Sequence, residues 1–474
     1  MLGRRKNLWR IGFVAGSLFA VAALVASVSA APSGITWNMR RTSVPGTYSS
    51  KAFFRANVSQ AIDVANDGVD TWVSSIQYAD NDVVGGTGYA WPYCANGKPL
   101  PPAQCPYSVG VYYARSSNAT AVMPTWTDFT RLNPEDQDGE RLSIATDGAN
   151  VYAVWASQPE YYTSNVGKGP RVLEVRVNTN YGAPANWGAM QALTDAAGRI
   201  DYPALAVANG RTYIAYTDSN TGQIHVATST DGGTIWANQI IAKSKATIKG
   251  PYPYGASGYG ARPAIGVSDD GLTVVVAYLV LDKAGNPTQI MARASLDGGA
   301  TWDVATKLMG KADAKVPAPT ASGGTDRVGI AFANKAGTKG YVMEYHKVGG
   351  WQPKVQFAAM PDTMAVPHLG IYTTGVGLQG ASTIGVAYGG CYDSPCKNYK
   401  GKGIALLWTE SHDGGVTWTD PEIVSEGGED GSYNFSGYQA TVVWDGTTTR
   451  YVGWQGLNKN WWNYLHGFRA GTTP

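Results

Sequence analysis

The sequence predicts an all-β protein: a single β-propeller of four-stranded antiparallel blades, seven in number. Three observations predict it. The 474 residues include 59 Gly, 28 Tyr and 16 Trp but only 15% charged residues, which suits short strands joined by tight turns and leaves little for long solvated helices. A short apolar strand, a turn with Asp or Asn before Gly, and a second apolar strand recur, as in "LSIATDGANVYAVWA", "ALAVANGRTYIAYT", "AIGVSDDGLTVVVAYL" and "ATVVWDGTTTRYVGW". Period-two alternation around Asn/Asp-Gly is hairpin punctuation. Tryptophans also recur at 126, 187, 236, 302, 351 and 418, at the spacing of one blade.

In chain order, residues 1–30 read as a signal peptide. "MLGRRKNLWR" is a basic start, "IGFVAGSLFAVAALV" an apolar core, and "VSA" before Ala31 a cleavage site. Cleavage removes four Lys/Arg and no acid, taking the net charge from +2 to −2. Retention as a membrane anchor is the alternative, since the apolar stretch is nearly long enough to span a bilayer. With cleavage, the protein is secreted or held at the cell surface and has no membrane span. No basic run survives in the mature chain, and aromatics are not interleaved with Lys/Arg, so nucleic acid is excluded as a partner.

Residues 31–474 form one domain, with no Pro/Ser-rich linker after residue 50. "SGITWNMRRTSV" (33–44) reads as an unpaired strand, expected to supply the outer strand of the last blade and close the ring, leaving no open edge. Blade units begin near 57, 140, 202, 262, 316, 366 and 437. Six blades with an N-terminal β-appendage is the alternative count, because the first unit is long and irregular. Two local cysteine pairs, Cys94 with Cys105 and Cys391 with Cys396, are expected as disulfides of an exported chain. No histidine lies near either pair, which disfavours a metal site there.

Between the third and fourth strands of three units stands one eight-residue motif: "STDGGTIW" (229–236), "SLDGGATW" (295–302) and "SHDGGVTW" (411–418). Asp accepts backbone N–H bonds one or two residues ahead, Gly supplies φ > 0, and Trp packs across the turn. Three equivalent copies argue for structure, since an active site is normally built once. Asp231, Trp236, Asp297, Trp302, Asp413 and Trp418 are therefore structural. The motif resembles the Asp-box, or bacterial neuraminidase (BNR) repeat, of the sialidase-like β-propellers, with Ile235 in place of the usual Thr. The resemblance implies boxes on the periphery of one face and function on the other, at the channel mouth. A shared fold does not establish sialidase activity.

Residues just before the innermost strands should ring that mouth. They include Glu140, Arg141, Asp201, Tyr202, Arg262, His368 and Tyr438, a mixed polar and aromatic set suited to a sugar or an anionic group. The plainer alternative is that these residues merely start strands in solvent. Carried over residue by residue, the family's retaining chemistry needs three arginines, an acid/base Asp and a Tyr nucleophile beside a Glu. Tyr438 in "GYQATVVWDG" resembles the final-blade Tyr. The first-blade "Arg-Ile-Pro" has no match: Arg55 lies too far before its strand and Arg199 falls two units late. Lys400 and Lys402 stand where the late arginine belongs, and lysine is a poor bidentate clamp.

The expectation is thus non-catalytic recognition of a glycan or an extracellular protein at the mouth. The alternatives are a sialidase-type hydrolase using Tyr438, another glycosidase or lyase chemistry, and a structural scaffold. No cofactor is called for. "PEDQDGE" (134–140) offers oxygen ligands for Ca²⁺ at Asp136 and Asp138 without full EF-hand spacing.

Overall fold

The computed structural model describes residues 35–38, 61–66, 71–80, 109–122, 124–127, 130–134, 137–158, 171–194, 199–244, 262–282, 287–310, 319–334, 337–359, 371, 373–391, 404–426, 436–444, 448–457 and 464–473. The described residues are all-β apart from a single 3₁₀ turn, Pro184–Asn186. They form seven antiparallel sheets.

The first sheet runs Ala61–Asn66, Thr71–Asp80, Val109–Ser116, Thr130–Arg131, and the second Asp138–Thr146, Val151–Gln158, Val172–Asn178, Gln191–Ala192. The third is Ile200–Ala208, Arg211–Asp218, Gln223–Ser229, Ala237–Lys243, and the fourth Ala264–Val267, Val274–Leu281, Pro287–Ser295, Thr306–Met309. The fifth is Thr320–Gly324, Arg327–Ala333, Lys339–His346 and an outer position shared by Gly350–Trp351 and Val355–Ala359. The sixth is Thr373–Gln379, Thr383–Cys391, Ile404–Ser411, Glu422–Glu426. The seventh is Ser436–Trp444, Thr449–Leu457, Tyr464–Thr472, and its outer strand is Thr36–Trp37 from the other end of the chain, with Thr36 opposite Thr472.

Each sheet's opening strand packs against the opening strand of the next, and that of the seventh packs against that of the first. Side-chain burial follows the same circuit. Separate apolar clusters fill the gaps between sheets one and two (Tyr113, Trp155), two and three (Val154, Ile214) and three and four (Tyr213, Val276). Others lie between four and five (Leu279, Phe332), five and six (Val342, Tyr388), six and seven (Trp408, Trp454), and seven and one (Tyr451, Ala114). Each fully buried aliphatic contributes about 1.5–3 kcal/mol of transfer free energy. Near the centre the strands approach closely: a Cβ on Gly323 would fall 1.5 Å from the Val267 carbonyl oxygen, so only glycine fits.

The three eight-residue motifs form one and the same turn. Asp297 Oδ1 accepts from Thr301 N at 2.9 Å, and Trp302 Nε1 donates to Gly299 O at 3.1 Å. The first-position serine completes the turn: Ser295 Oγ donates to Asp297 Oδ1 at 2.7 Å and accepts from Gly299 N at 2.8 Å. Ser229 with Asp231 and Gly233, and Ser411 with Asp413 and Gly415, repeat this. The second glycines sit at φ 86°, 86° and 88°. Bonds from the Thr301 hydroxyl and amide hold the Asp297 carboxyl down at about 2, and the Ile235 amide likewise lowers Asp231.

Two related turns escaped the sequence pattern. In the second sheet Asn178 Oδ1 accepts from Asn180 N and Gly182 N, with Tyr181 and Gly182 at φ 49° and 73°. In the first sheet Ser116 Oγ donates to Asn118 Oδ1, which also accepts from Thr125 N at 2.8 Å.

At this same end, two buried arginines fasten sheet to sheet. Arg450, starting the second strand of sheet seven, grips Glu410 of sheet six at 3.0 and 2.9 Å. His412 approaches the same carboxylate at 3.1 Å, and Trp408 Nε1 donates to it at 3.3 Å. Arg327, in the corresponding place in sheet five, pairs with Glu344 and donates to carbonyls of Gln379, Gly380 and Thr383 in sheet six.

Candidate functional site

The opening strands begin at the end opposite the motif turns, since Thr212, starting a second strand, pairs with Ser229 at a motif. In the third sheet the ladder jumps from Asp201–Thr217 to Ala204–Ala215, so Tyr202 and Pro203 together oppose Tyr216. In the second it jumps from Glu140–Ala156 to Ser143–Val154, so Arg141 and Leu142 oppose Trp155. In the seventh it jumps from Tyr438–Gln455 to Thr441–Gly453, so Gln439 and Ala440 oppose Trp454. Trp155, Tyr216 and Trp454 are all buried. A bulge of this kind kinks the strand and re-aims its extra residue.

Two of these bulge residues, and Arg262 just before the first strand of sheet four, have unusual backbones. Arg141, Tyr202 and Arg262, at corresponding starts of sheets two, three and four, have φ of 58°, 54° and 36°. Left-handed backbone costs a residue with a Cβ about 1–2 kcal/mol, and such strain collects at functional sites. The three side chains meet. The Arg141 guanidinium lies 4.5 Å from the Tyr202 ring centroid and that of Arg262 lies 4.9 Å from it. All three residues are half-buried, within reach of solvent.

Asp201 takes another position: fully buried, it pairs with Arg171, lies 3.9 Å from Arg199 Nε and accepts from Ser219 Oγ at 2.9 Å. Arg171 and Arg199 are joined by a parallel bridge between sheets two and three. Asp201 thus anchors the strand that carries Tyr202. Sequence reasoning missed this cluster, because Arg171 follows a long connection and nothing local marks it as Asp201's partner. Behind Arg141, Trp155 Nε1 donates to buried Glu174 at 2.9 Å, and burial raises the Glu174 carboxyl.

Tyr438 occupies the ladder position just before its bulge, where sheets two and three carry Glu140 and Asp201. The side chains of Tyr438, Glu140 and Asp138 lie outside the described set, as do His368, Asp136, Cys94, Cys105, Cys396 and the side chain of Cys391. Among the described residues, no three His, Cys, Asp or Glu gather closely enough to hold a metal ion. No helix among them is long and apolar enough to cross a membrane.

No protein-family model matches the chain, and no curated protein matches it. Solved structures similar to it include the Hadza microbial sialidase Hz136, at 13% identity over 94% of this chain and 98% of that one, TM-score 0.41. A protein of unknown function from Dyadobacter fermentans DSM 18053 is similar at 11% identity over 93% and 100%, TM-score 0.47. A Trypanosoma rangeli sialidase bound to 2,3-difluorosialic acid is similar at 13% identity over 93% and 59%, TM-score 0.42.

Proposed function

We propose that the seven sheets are the blades of one sialidase-like β-propeller, its ring closed by the N-terminal strand. We propose further that this protein is exported and recognises an acidic glycan at the mouth formed by the starts of its opening strands. The observation that carries the reading is the meeting of Arg141, Tyr202 and Arg262, each on strained backbone at the same place in three successive sheets. Guanidinium groups match carboxylate and sulfate oxygens in a planar fork, which makes charge the basis of recognition. The motif turns, identical in three sheets and at the other end, support the Asp-box reading and leave the mouth for binding.

Calorimetric titration with acidic and neutral oligosaccharides tests this. Binding of acidic glycans only, weakened at least tenfold in Arg141→Ala and in Arg262→Ala, is expected; equal affinity for neutral glycans would overturn it. The reading is non-catalytic, so a fluorogenic sialoside should not turn over. Turnover abolished by Tyr438→Phe would establish the hydrolase instead, a reading favoured by Tyr438 standing beside a bulge like those that aim Arg141 and Tyr202.

A further inference from the structure

The end that carries the motif turns holds nearly all of the exposed apolar bulk among the described residues. Val122, Ile235, Leu296, Val304, Val348 and Val416 stand exposed there, in connections between third and fourth strands of sheets one, three, four, five and six. The other large exposed apolar residue, Ile240, lies on an outer strand. Val348, Val304 and Val416 are 88%, 86% and 80% exposed, so most of each side chain faces outward. Contacts between neighbours bring these connections to one side. Arg115 of sheet one donates to Tyr181 O of sheet two at 2.5 Å, and a Cβ on Gly298 would meet Arg211 of sheet three at 2.8 Å. Lys347 of sheet five pairs with Asp270 of sheet four at 2.6 Å, and Gly415 of sheet six lies against Val355 of sheet five. Apolar residues scattered singly need no explanation, but a set gathered at one end marks a contact surface.

The path of the chain indicates what that surface meets. Thr36 lies opposite Thr472, which also faces Thr449 at the start of a second strand, so the chain enters the seventh sheet from the motif end. Residues 11–30, just upstream, carry no charge and are twenty in number, the length that crosses a bilayer as a helix. The basic run before them, with Arg4, Arg5, Lys6 and Arg10, suits the cytoplasmic side. The five steps from Ala30 to Ile35 reach at most about 18 Å. We propose that residues 1–30 are retained, that 11–30 anchor the protein in a lipid bilayer, and that the motif end rests on this bilayer with the mouth facing away. The valine, isoleucine and leucine tips then enter the headgroup region. Asp231, Asp297 and Asp413 stand in the same turns, so the attraction is apolar and needs no anionic lipid. The proposal takes up the anchored alternative and is independent of the glycan reading.

The test reconstitutes the full chain in vesicles of phosphatidylcholine alone. A nitroxide is placed at Ile235→Cys, Val348→Cys or Val416→Cys, and at Asn220→Cys, an exposed hairpin residue at the opposite end, with the unsubstituted chain as blank. All four positions are at the surface, so the labels leave folding alone. The ratio of collisions with oxygen to collisions with a water-soluble nickel chelate should be at least about threefold higher at 235, 348 and 416 than at 220. Val348→Asp with Val416→Asp should lower the ratio at 235 at least about twofold, because the tips themselves hold this end down. Equal ratios at all four positions, a higher ratio at 220, or failure of the full chain to join the vesicles would each overturn the proposal. An unchanged ratio at 235 in the double aspartate variant would also overturn it, since the anchor alone would then place the domain. Turn labels shielded from both reagents without vesicles would mean that a second copy covers this end instead.

Discussion

Ser295 shows how much a single hydroxyl can settle. It donates a hydrogen bond to Asp297 and accepts one from the Gly299 amide, so it holds both ends of the turn. Ser295→Ala leaves a part-buried amide short of its acceptor, and urea unfolding should show a loss of about 1 kcal/mol. The motif's Asp, Gly and Trp can be justified from their types alone, whereas this serine's role needs the coordinates. Asp297 carries a pH signature. Its folded value, about 2, lies below the ordinary aspartate value of 3.8, so its contribution is fully present above 3.8 and is lost as pH falls through 2. Asp297→Asn should therefore flatten the acid limb of a stability–pH curve in that window; an unchanged limb would contradict the assignment. Arg141 offers the opposite trade. Arg141→Gly relieves left-handed strain, so the melting temperature should hold or rise while acidic-glycan binding falls at least tenfold. A lower melting temperature would mean that Arg141 is there for stability.

At the level of elements, the sequence was most readable where strand and turn chemistry are local. The Asn/Asp-Gly hairpins stand where expected because period-two alternation and φ > 0 are written into adjacent residues. The third-to-fourth-strand turns of the first two sheets were illegible because Asn118 and Asn180 replace the acid and Asn178 the serine, with longer spacers before Trp126 and Trp187. Contacts between sheets were illegible for a different reason: Arg450 and Glu410 are far apart in sequence, and no pattern announces their meeting. Breaking that pair should be costly. Glu410→Ala strands a buried guanidinium and should destabilise by about 3–5 kcal/mol in chemical unfolding. Glu410→Leu combined with Arg450→Met should recover much of this loss, a non-additivity that a double-mutant cycle would read directly. The candidate site divides the same way. Arg141, Tyr202 and Arg262 could be picked out by their place before strands, but their convergence on one ring, and Arg171 beneath, depend on how sheets two, three and four lie together.

For the whole molecule, the short strand Thr36–Trp37 has effects out of proportion to its length. Trp37 Nε1 donates to Glu422 of sheet six at 2.9 Å, and its ring meets Trp408 edge-on at 6.0 Å. Asn38 Nδ2 reaches the carbonyls of Ala119 and Ala121 in the first sheet's outer connection. Three sheets are thus tied by three residues. Trp37→Ala should cost about 2 kcal/mol or more and lower the melting temperature of the entire molecule in one transition; a separate early transition would show the seam to be an independent unit. The ladder also dictates an order of events. Sheet three is hydrogen-bonded entirely within Ile200–Lys243 and can be finished as soon as those residues are made. The seam cannot, because Thr36 has no partner until Thr472 exists. A growing chain can therefore complete its inner sheets one by one, while the seventh waits for a pairing that spans more than four hundred residues, Thr36 with Thr472.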